Sequence, residues 1–349
     1  MRPASTPHFL VSPQPRSDAM LLDLLILIGA LAVLSAGAEL LVRGATALAL
    51  RFGLSPLFVG LTIVGFGTSA PEMAASVTAT VRGSSEVSIG NVVGSNILNI
   101  AVILGLTALV RPIMLSIATI RHDLPWVAGV SIIPFAGLAF GMELPRWFGV
   151  VLVAAMCAYL VSAYRRAKVA PAAEVAAERA ELEAAMDIRS RRMVDTGWFN
   201  TVLVVAGLGC LVVGARFFVI SAVDLARAWG MSELVIGLTV VAAGTSMPEL
   251  VTSIVAAIRR TPDVVVGNII GSNLFNMLGI LGVATMVGPQ TIGRQVILLD
   301  TPLLVLVSLA LGPLMASGGR LSRTEGLLLF LGYCGYVVVL IVFAPRWFG

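Results

Sequence analysis

The sequence predicts an all-α polytopic membrane protein, with ten transmembrane helices in two inverted five-helix repeats. The first indication is composition, since 58% of the 349 residues are hydrophobic and only 12% are charged. Soluble chains average about 25% charged residues, and a soluble fold of this size needs more charge to cover its surface. The second indication is a series of ten apolar runs, and the third is a polar motif that occurs twice. Soluble enzymes and nucleic-acid-binding proteins are therefore disfavoured.

The apolar runs define the domain organisation. Residues 1–20 are polar and proline-rich, and we predict a disordered tail there. From Leu21 onward, the runs are long enough to cross about 30 Å of hydrocarbon at about 1.5 Å per residue. The first repeat, 21–164, contains spans 1 to 5 at residues 21–42, 55–81, 87–110, 124–142 and 147–164. The second repeat, 199–345, contains spans 6 to 10 at residues 199–226, 232–258, 264–287, 296–317 and 325–344.

Residues 165–198 form the linker between the repeats and are the longest hydrophilic stretch after the tail. Its section 174–186 is rich in Ala, Glu and Leu, which predicts a short surface helix. The linker is also rich in Lys and Arg, and the positive-inside rule therefore places it in the cytoplasm. Since each repeat has an odd number of spans, both termini are expected outside. We predict a multi-pass location in the cell inner (plasma) membrane, surrounded by the lipid bilayer.

The internal repeat is the most informative feature of the sequence. Residues 37–105 align without a gap onto 214–282 at an offset of 177, with 31 of 69 positions identical. GLTIVGFGTSAPE at 60–72 matches GLTVVAAGTSMPE at 237–249, and IGNVVGSNILN at 89–99 matches VGNIIGSNLFN at 266–276. Five spans per repeat invert the second copy. This arrangement is typical of secondary transporters, whose substrates bind near the midplane between the repeats.

Glu72 and Glu249 occupy equivalent positions near the middle of spans 2 and 7. An ionised side chain at this depth costs about 2.5–3.5 kcal/mol on insertion scales, so it indicates a functional site. No Lys or Arg lies near the middle of either span to neutralise it. Pro71 and Pro248 precede the glutamates, and each lacks the N–H that would continue the helical hydrogen bonding. We therefore expect both spans to be distorted beside a carboxylate.

Spans 3 and 8 carry polar stripes at a spacing of four, namely Asn91, Ser95 and Asn99, and Asn268, Ser272 and Asn276. Such stripes either bind a ligand or form hydrogen bonds between helices. Together with the glutamates they offer only oxygen ligands, which suit Na⁺, Ca²⁺ or Mg²⁺, and flexible carboxylate ligation favours Ca²⁺ over Mg²⁺. Two carboxylates converging in a low-dielectric cavity make an ion-free site costly. A protein that changes between its two faces only when ions occupy this site must exchange one ion for another, which predicts antiport.

The paired motifs GTSAPE with GNVVGSNILN, and GTSMPE with GNIIGSNLFN, resemble the two alpha-repeats of the sodium/calcium exchanger family. The resemblance covers about residues 21 to 345. It implies that spans 2, 3, 7 and 8 form the core, and that Glu72 and Glu249 are the shared ion-binding carboxylates. It further implies oxygen ligands from the side chains of Thr68, Ser69, Thr245, Ser246, Ser95, Asn99, Ser272 and Asn276, and from the backbone of Gly65 and Ala242. Several relatives, including potassium-dependent ones, carry Asp where this chain has Asn276, which argues against a potassium requirement.

We therefore expect a secondary antiporter that exchanges Ca²⁺ for Na⁺ by alternating access. The alternative is a Ca²⁺/H⁺ antiporter that uses the same two glutamates. We expect no cofactor, no nucleic-acid partner and no obligate protein partner; the transported ions are the substrates. An intramembrane hydrolase is disfavoured because the spans contain no embedded His or Lys to act as a base. A passive channel would conduct without a counter-ion, which separates it from both antiporters.

Overall fold

The computed structural model describes residues 17–114, 117–169, 197–231, 240, 242–316 and 319–343, and most of these residues are helical. Seven of the described helices are long and apolar enough to cross a membrane: Met20–Phe52, Ser85–Val110, Arg146–Lys168, Gly197–Ala228, Pro262–Val287, Val296–Leu314 and Arg323–Val342. They correspond to spans 1, 3, 5, 6, 8, 9 and 10. The predicted all-α polytopic class is confirmed.

Spans 1 and 6 form the two longest helices, Ser17–Phe52 and Gly197–Ala228. The first begins within the region predicted as a tail, so residues 17–20 form its first turn, and it continues past the predicted end at residue 42. Residues 1–16 and 170–196 lie outside the described ranges. Most of the predicted tail therefore lies outside the described residues, and the predicted surface helix at 174–186 lies wholly outside them.

Span 2 is a broken helix. Its two arms, Pro56–Thr68 and Ala70–Val81, meet at Ser69 with a bend of 46°. The first arm contains Pro56–Val59, a π-helical segment Gly60–Val64 and Gly65–Thr68. Span 7 has the same interruption, because Ala242–Thr245 and Met247–Ile258 flank a turn at Ser246. The prolines of both TSxPE motifs cannot donate backwards, so each helix restarts at the motif.

Spans 3, 8 and 9 contain π-helical turns. In span 3 the helix Ser85–Leu98 passes into a π segment, Asn99–Leu104, and then into Gly105–Val110. Span 8 follows the same order with Pro262–Leu274, Phe275–Ile280 and Leu281–Val287. Span 9 begins with the π segment Val296–Asp300 and continues as Thr301–Ala316. Such turns redirect side chains and are common at functional sites, and here Asn99 and Asn276 lie in two of them.

Span 4 differs from its prediction. A single helix was expected over 124–142, but the chain forms Ile117–Ser131, a short 3-10 turn Ile133–Phe135 and Ala136–Ala139. The break falls at Pro134, which removes a backbone donor and crowds the preceding turn. Spans 5 and 10 are regular helices at Arg146–Val169 and Arg323–Val342.

The backbone repeats its special conformations at the same offset of 177. Among described residues, positive φ angles occur at Gly53 and Gly230, at Gly83 and Arg260, and at Met142 and Gly319. Gly141 also has a positive φ, and its equivalent position, 318, lies outside the described ranges. Two short antiparallel strand pairs follow the same rule: Ile113–Met114 with Arg320–Leu321, and Glu143–Leu144 with Gln290–Thr291. Each pair joins one repeat to the other, so the two halves are connected by backbone hydrogen bonds.

The core lies around spans 3 and 8. The most apolar stretch of span 8 is 100% buried and that of span 3 is 83% buried, against 17% in span 10. Spans 1 and 6 lie at the periphery and pack closely against each other. A methyl group added at Gly207 would lie only 2.8 Å from the Gly37 carbonyl oxygen, which shows how near the two backbones are. The outer helices leave large apolar side chains exposed, as expected for contact with lipid. Polar residues of spans 2, 3, 7 and 8 are therefore held between helices and away from the lipid.

Candidate ion-binding site

The breaks in spans 2 and 7 place both glutamates at helix N-termini. Glu72 lies in the first turn of Ala70–Val81, and Glu249 lies in the first turn of Met247–Ile258. The partial positive charge of a helix N-terminus stabilises a carboxylate there. Each residue is only 1% exposed. Both carboxylates are therefore enclosed by protein.

Each glutamate is held by a serine from the opposite repeat. Ser246 Oγ donates to Glu72 Oε1 at 3.0 Å, and Ser69 Oγ donates to Glu249 Oε1 at 2.9 Å. The two bonds are related by the sequence offset, so they are equivalent under the internal symmetry. Because both bonds cross from one repeat to the other, the two carboxylates lie at the repeat interface.

Four acceptor oxygens of the predicted site residues have no hydrogen-bond partner among the described residues: Glu72 Oε2, Glu249 Oε2, Asn99 Oδ1 and Asn276 Oδ1. All four residues are 1% exposed. A buried polar atom without a partner costs about 1–3 kcal/mol, and more when it is charged. Described Lys and Arg residues form ion pairs with Glu39, Asp123 and Asp224 but with neither site glutamate. A cation is the natural partner for these oxygens.

Two of the other predicted ligands bond to residues of the opposite repeat. Thr68 Oγ1 donates to Asn268 Oδ1 at 3.1 Å, and Ser272 Oγ donates to the Gly65 carbonyl oxygen at 3.2 Å. Ser95 is buried and Thr245 is partly buried. Ala242 begins a helix, and its side chain lies outside the described part. In this arrangement, the Gly65 carbonyl is engaged by protein donors.

Asparagines beyond the predicted site residues position the site. Asn91 Nδ2 donates to Ser76 Oγ at 2.9 Å and to the Glu72 carbonyl oxygen at 3.4 Å. Asn268 Nδ2 makes the equivalent bonds to Ser253 Oγ at 3.0 Å and to the Glu249 carbonyl oxygen at 3.3 Å. These bonds fasten span 3 to span 2 and span 8 to span 7. The spacing of four in the polar stripes indicated that these asparagines share a helix face with the predicted ligands. It did not distinguish asparagines that bond to a neighbouring helix from those whose oxygen has no partner.

Asn273 in the second repeat orients the side chain of Asn99 in the first. Asn99 Nδ2 donates to Asn273 Oδ1 at 3.2 Å, which leaves Asn99 Oδ1 available. Asn96, the first-repeat equivalent of Asn273, is 1% exposed, and both of its amide atoms are without a partner in the described residues. Neither Asn96 nor Asn273 was among the predicted site residues. Their place beside the Ser of each GSN triplet was the only available signal.

Inverted halves that enclose two carboxylates and a set of neutral oxygens define a membrane transporter for cations. Comparison with known proteins agrees with this class. The model of the family described as sodium/calcium exchanger protein matches residues 22–165 and 199–342, one segment in each half of the chain. The chain belongs to the sodium/calcium exchanger family. It is therefore a multi-pass membrane transporter of the cation/Ca²⁺ antiporter type rather than an enzyme.

Similar proteins cover nearly the whole chain. The sodium/calcium exchanger MaX1 of Methanosarcina acetivorans is 31% identical and aligns with 91% of this chain and 98% of its own length. The inner membrane protein YrbG of Escherichia coli is 33% identical over 93% of this chain and 99% of its own. A structure of the sodium-calcium exchanger NCX_Mj soaked with Na⁺ and Ca²⁺ is 30% identical, with a TM-score of 0.75, covering 93% of this chain and 99% of that one.

Proposed function

We propose that this protein exchanges Ca²⁺ for Na⁺ by alternating access, with the ions bound between Glu72 and Glu249. The observation that carries the proposal is the pair of buried carboxylates, each with one oxygen bonded by the opposite repeat's serine and one oxygen without a partner among the described residues. Two carboxylates match the charge of one Ca²⁺. The exchanger MaX1 and the Na⁺- and Ca²⁺-soaked structure of NCX_Mj support these ions as the substrates.

The predicted ligand set fits this cargo. Glu72 Oε2, Glu249 Oε2, Asn99 Oδ1 and Asn276 Oδ1 supply two charged and two neutral acceptors. Hydroxyl oxygens of Thr68, Ser69, Thr245, Ser246, Ser95 and Ser272, and the carbonyl oxygens of Gly65 and Ala242, complete the proposed set. Ca²⁺ accepts six to eight oxygen ligands in flexible geometry, so it tolerates such a mixture. Na⁺ uses the same hard oxygen donors, and the two ions therefore compete for the site.

The electrostatics of the site explain obligatory exchange. A site stripped of cations leaves two carboxylates in a low-dielectric interior, where like charges repel and solvent is absent. Enclosing that site during a switch between the two faces is costly. Cations remove the cost, so the loaded protein changes sides and the ion-free protein does not. Transport in one direction is thus coupled to return with the competing ion.

The orientation follows from the basic residues. We place the linker of residues 165–198 in the cytoplasm and both termini outside, because Arg165, Arg166 and Lys168 lead into it and four more arginines follow. The cytoplasmic ends of the spans also carry Arg43, Arg51, Arg111 and Arg259. In the proposed exchange cycle, an inward Na⁺ gradient would drive Ca²⁺ export, since the ion gradients set the direction of exchange. Asn276 in place of Asp supports exchange without K⁺.

Calcium flux into proteoliposomes tests the proposal. An outward Na⁺ gradient at clamped pH should drive ⁴⁵Ca²⁺ uptake, while a pH gradient without Na⁺ should drive none. Uptake that follows only the pH gradient would assign the protein to Ca²⁺/H⁺ exchange. Ca²⁺ conductance in a planar bilayer without any counter-ion would show a channel instead, and it would refute antiport on either ion.

A further inference from the structure

Each repeat contains a second buried carboxylate, whose described hydrogen-bond partners are not predicted ion ligands. Asp123 in span 4 and Asp300 in span 9 are 3% and 6% exposed and lie at the same offset of 177. Each accepts a hydrogen bond from a tyrosine at that same offset: Tyr159 at 3.1 Å and Tyr336 at 2.9 Å. The repeat therefore extends well beyond its aligned segment, and the Asp–Tyr pair is a duplicated feature of the fold.

In the first repeat the carboxylate is neutralised by a cation. Arg166 Nη2 lies 2.8 Å from Asp123 Oδ1, and Arg166 Nη1 donates to Ser162 Oγ at 2.8 Å. The guanidinium is thus fixed against the acid from span 5. A buried charge that is paired and hydrogen-bonded is stable in an apolar interior. This contact favours the ionised form of Asp123.

The second repeat has no arginine at the corresponding position. The residue equivalent to Arg166 is Phe343, and Asp300 forms no ion pair within the described part of the chain. Its hydrogen-bond partners are neutral: Tyr336 Oη donates to Oδ1 at 2.9 Å, and Gln295 Nε2 donates to Oδ2 at 3.3 Å. An isolated buried carboxylate is so unfavourable that the group takes up a proton instead.

The surroundings of Asp300 can accommodate that proton. A protonated carboxyl group needs an acceptor, and Gln295 supplies one when its amide is turned so that Oε1 replaces Nε2 beside Asp300 Oδ2. Amide oxygen and nitrogen are assigned from the hydrogen-bond network, and the two orientations have the same shape. The residue equivalent to Gln295 in the first repeat is Ala118, which offers no such acceptor. The negative charge of the buried aspartate is thus balanced by a guanidinium in the first repeat, and a proton can balance it in the second.

We propose that Asp300 is a proton-binding site: its carboxyl keeps a proton at neutral pH and donates a hydrogen bond to Gln295 Oε1, whereas Asp123 is ionised against Arg166. The ligand is a proton, which neutralises Asp300 as the guanidinium of Arg166 neutralises Asp123. The site is separate from the Ca²⁺ and Na⁺ ligands. Since Asp300 is the one acidic residue in the sequence of span 9, that span then adds no negative charge to that of the two glutamates.

Infrared spectroscopy of the purified full-length protein at pH 7 tests the proposal. Subtracting the spectrum of Asp300→Asn from that of the wild type should reveal the carbonyl stretch of a protonated carboxylic acid. The matched subtraction with Asp123→Asn should show only a carboxylate signal. Subtraction removes the contribution of all other acids, including the two site glutamates. A pure carboxylate difference for Asp300 would overturn the proposal.

Thermal unfolding gives a second, independent measurement. Asn has the shape and neutrality of a protonated Asp, so Asp300→Asn should fold and keep the wild-type Tm. Asp123→Asn leaves the partly exposed guanidinium of Arg166, 32% of whose side chain is accessible, without its counter-charge, and removes the charge-assisted hydrogen bond, so it should lower the Tm. A misfolded Asp300→Asn protein, or a loss of Tm as large as that of Asp123→Asn, would also overturn the proposal.

Discussion

Replacing Glu249 by Gln separates the charge of the site from its shape. The hydrogen bond from Ser69 Oγ at 2.9 Å can remain, because the amide oxygen accepts as the carboxylate oxygen did. The amide nitrogen takes the place of the unpaired Oε2 and presents hydrogens to the cation. Removing one partner of a buried ion pair costs about 3–5 kcal/mol. At about 1.4 kcal/mol per tenfold change in affinity, Ca²⁺ binding should weaken by about 10²- to 10⁴-fold.

The assay is ⁴⁵Ca²⁺ uptake into proteoliposomes under an outward Na⁺ gradient, with Ca²⁺ titration by calorimetry for the affinity. We expect no measurable exchange by Glu249→Gln, and the equivalent result for Glu72→Gln. Glu86→Gln is the matched control, because Glu86 is an exposed residue in the first turn of span 3 and should transport normally.

The stability of the variant distinguishes a lost ion site from a lost fold. In the ion-free protein, Glu249→Gln removes an unpaired buried charge, so the Tm should be unchanged or higher. Wild-type transport by Glu249→Gln would refute the assignment of this carboxylate to the site. A Tm well below that of the ion-free wild type would show that Glu249 is a structural residue instead.

Two further predictions concern the packing of spans 1 and 6 and the ion pair between Arg259 and Glu39. Gly207→Ala places a methyl group 2.7 Å from the backbone nitrogen of Leu41, so spans 1 and 6 must separate, and thermal unfolding should show a loss of about 1–3 kcal/mol. Gly209→Ala on the same helix meets nothing within 4 Å in the described residues, and an equal loss of Tm there would contradict the packing argument. Arg259→Gln removes the ion pair of Arg259 Nε with Glu39 Oε2 at 2.9 Å. Since the Arg259 side chain is 41% exposed, stability should change by no more than about 1 kcal/mol, and a larger fall in Tm would show that the pair is structural.

Local chemistry made much of the fold predictable. Apolar length alone indicated the spans, and the proline of each TSxPE motif predicted the distortion that breaks spans 2 and 7. Boundaries were less predictable, since Ser17–Phe52 continues beyond residue 42 and span 4 breaks at Pro134. Helix ends depend on which neighbours cover the backbone, and hydropathy does not contain that information.

The site shows the same division. The duplicated glutamates were predictable because a carboxylate inside a membrane is costly, and ion binding offsets that cost. Sequence could not show that Ser246 bonds to Glu72 while Ser69 bonds to Glu249, because these bonds join residues 174 and 180 positions apart. Nor could spacing separate Asn91, which anchors a helix, from Asn99, whose oxygen is free.

The sequence by itself determined the class of the protein, the inverted duplication and the carboxylates, because these depend on composition, periodicity and the cost of burying charge. Only the tertiary structure decided which oxygens accept hydrogen bonds from the protein and which have no partner among the described residues. It also showed that Asp123 has an arginine partner from span 5, whereas Asp300 has neutral partners. The reason is that a polar atom's partner is set by the packing of helices that are distant in sequence.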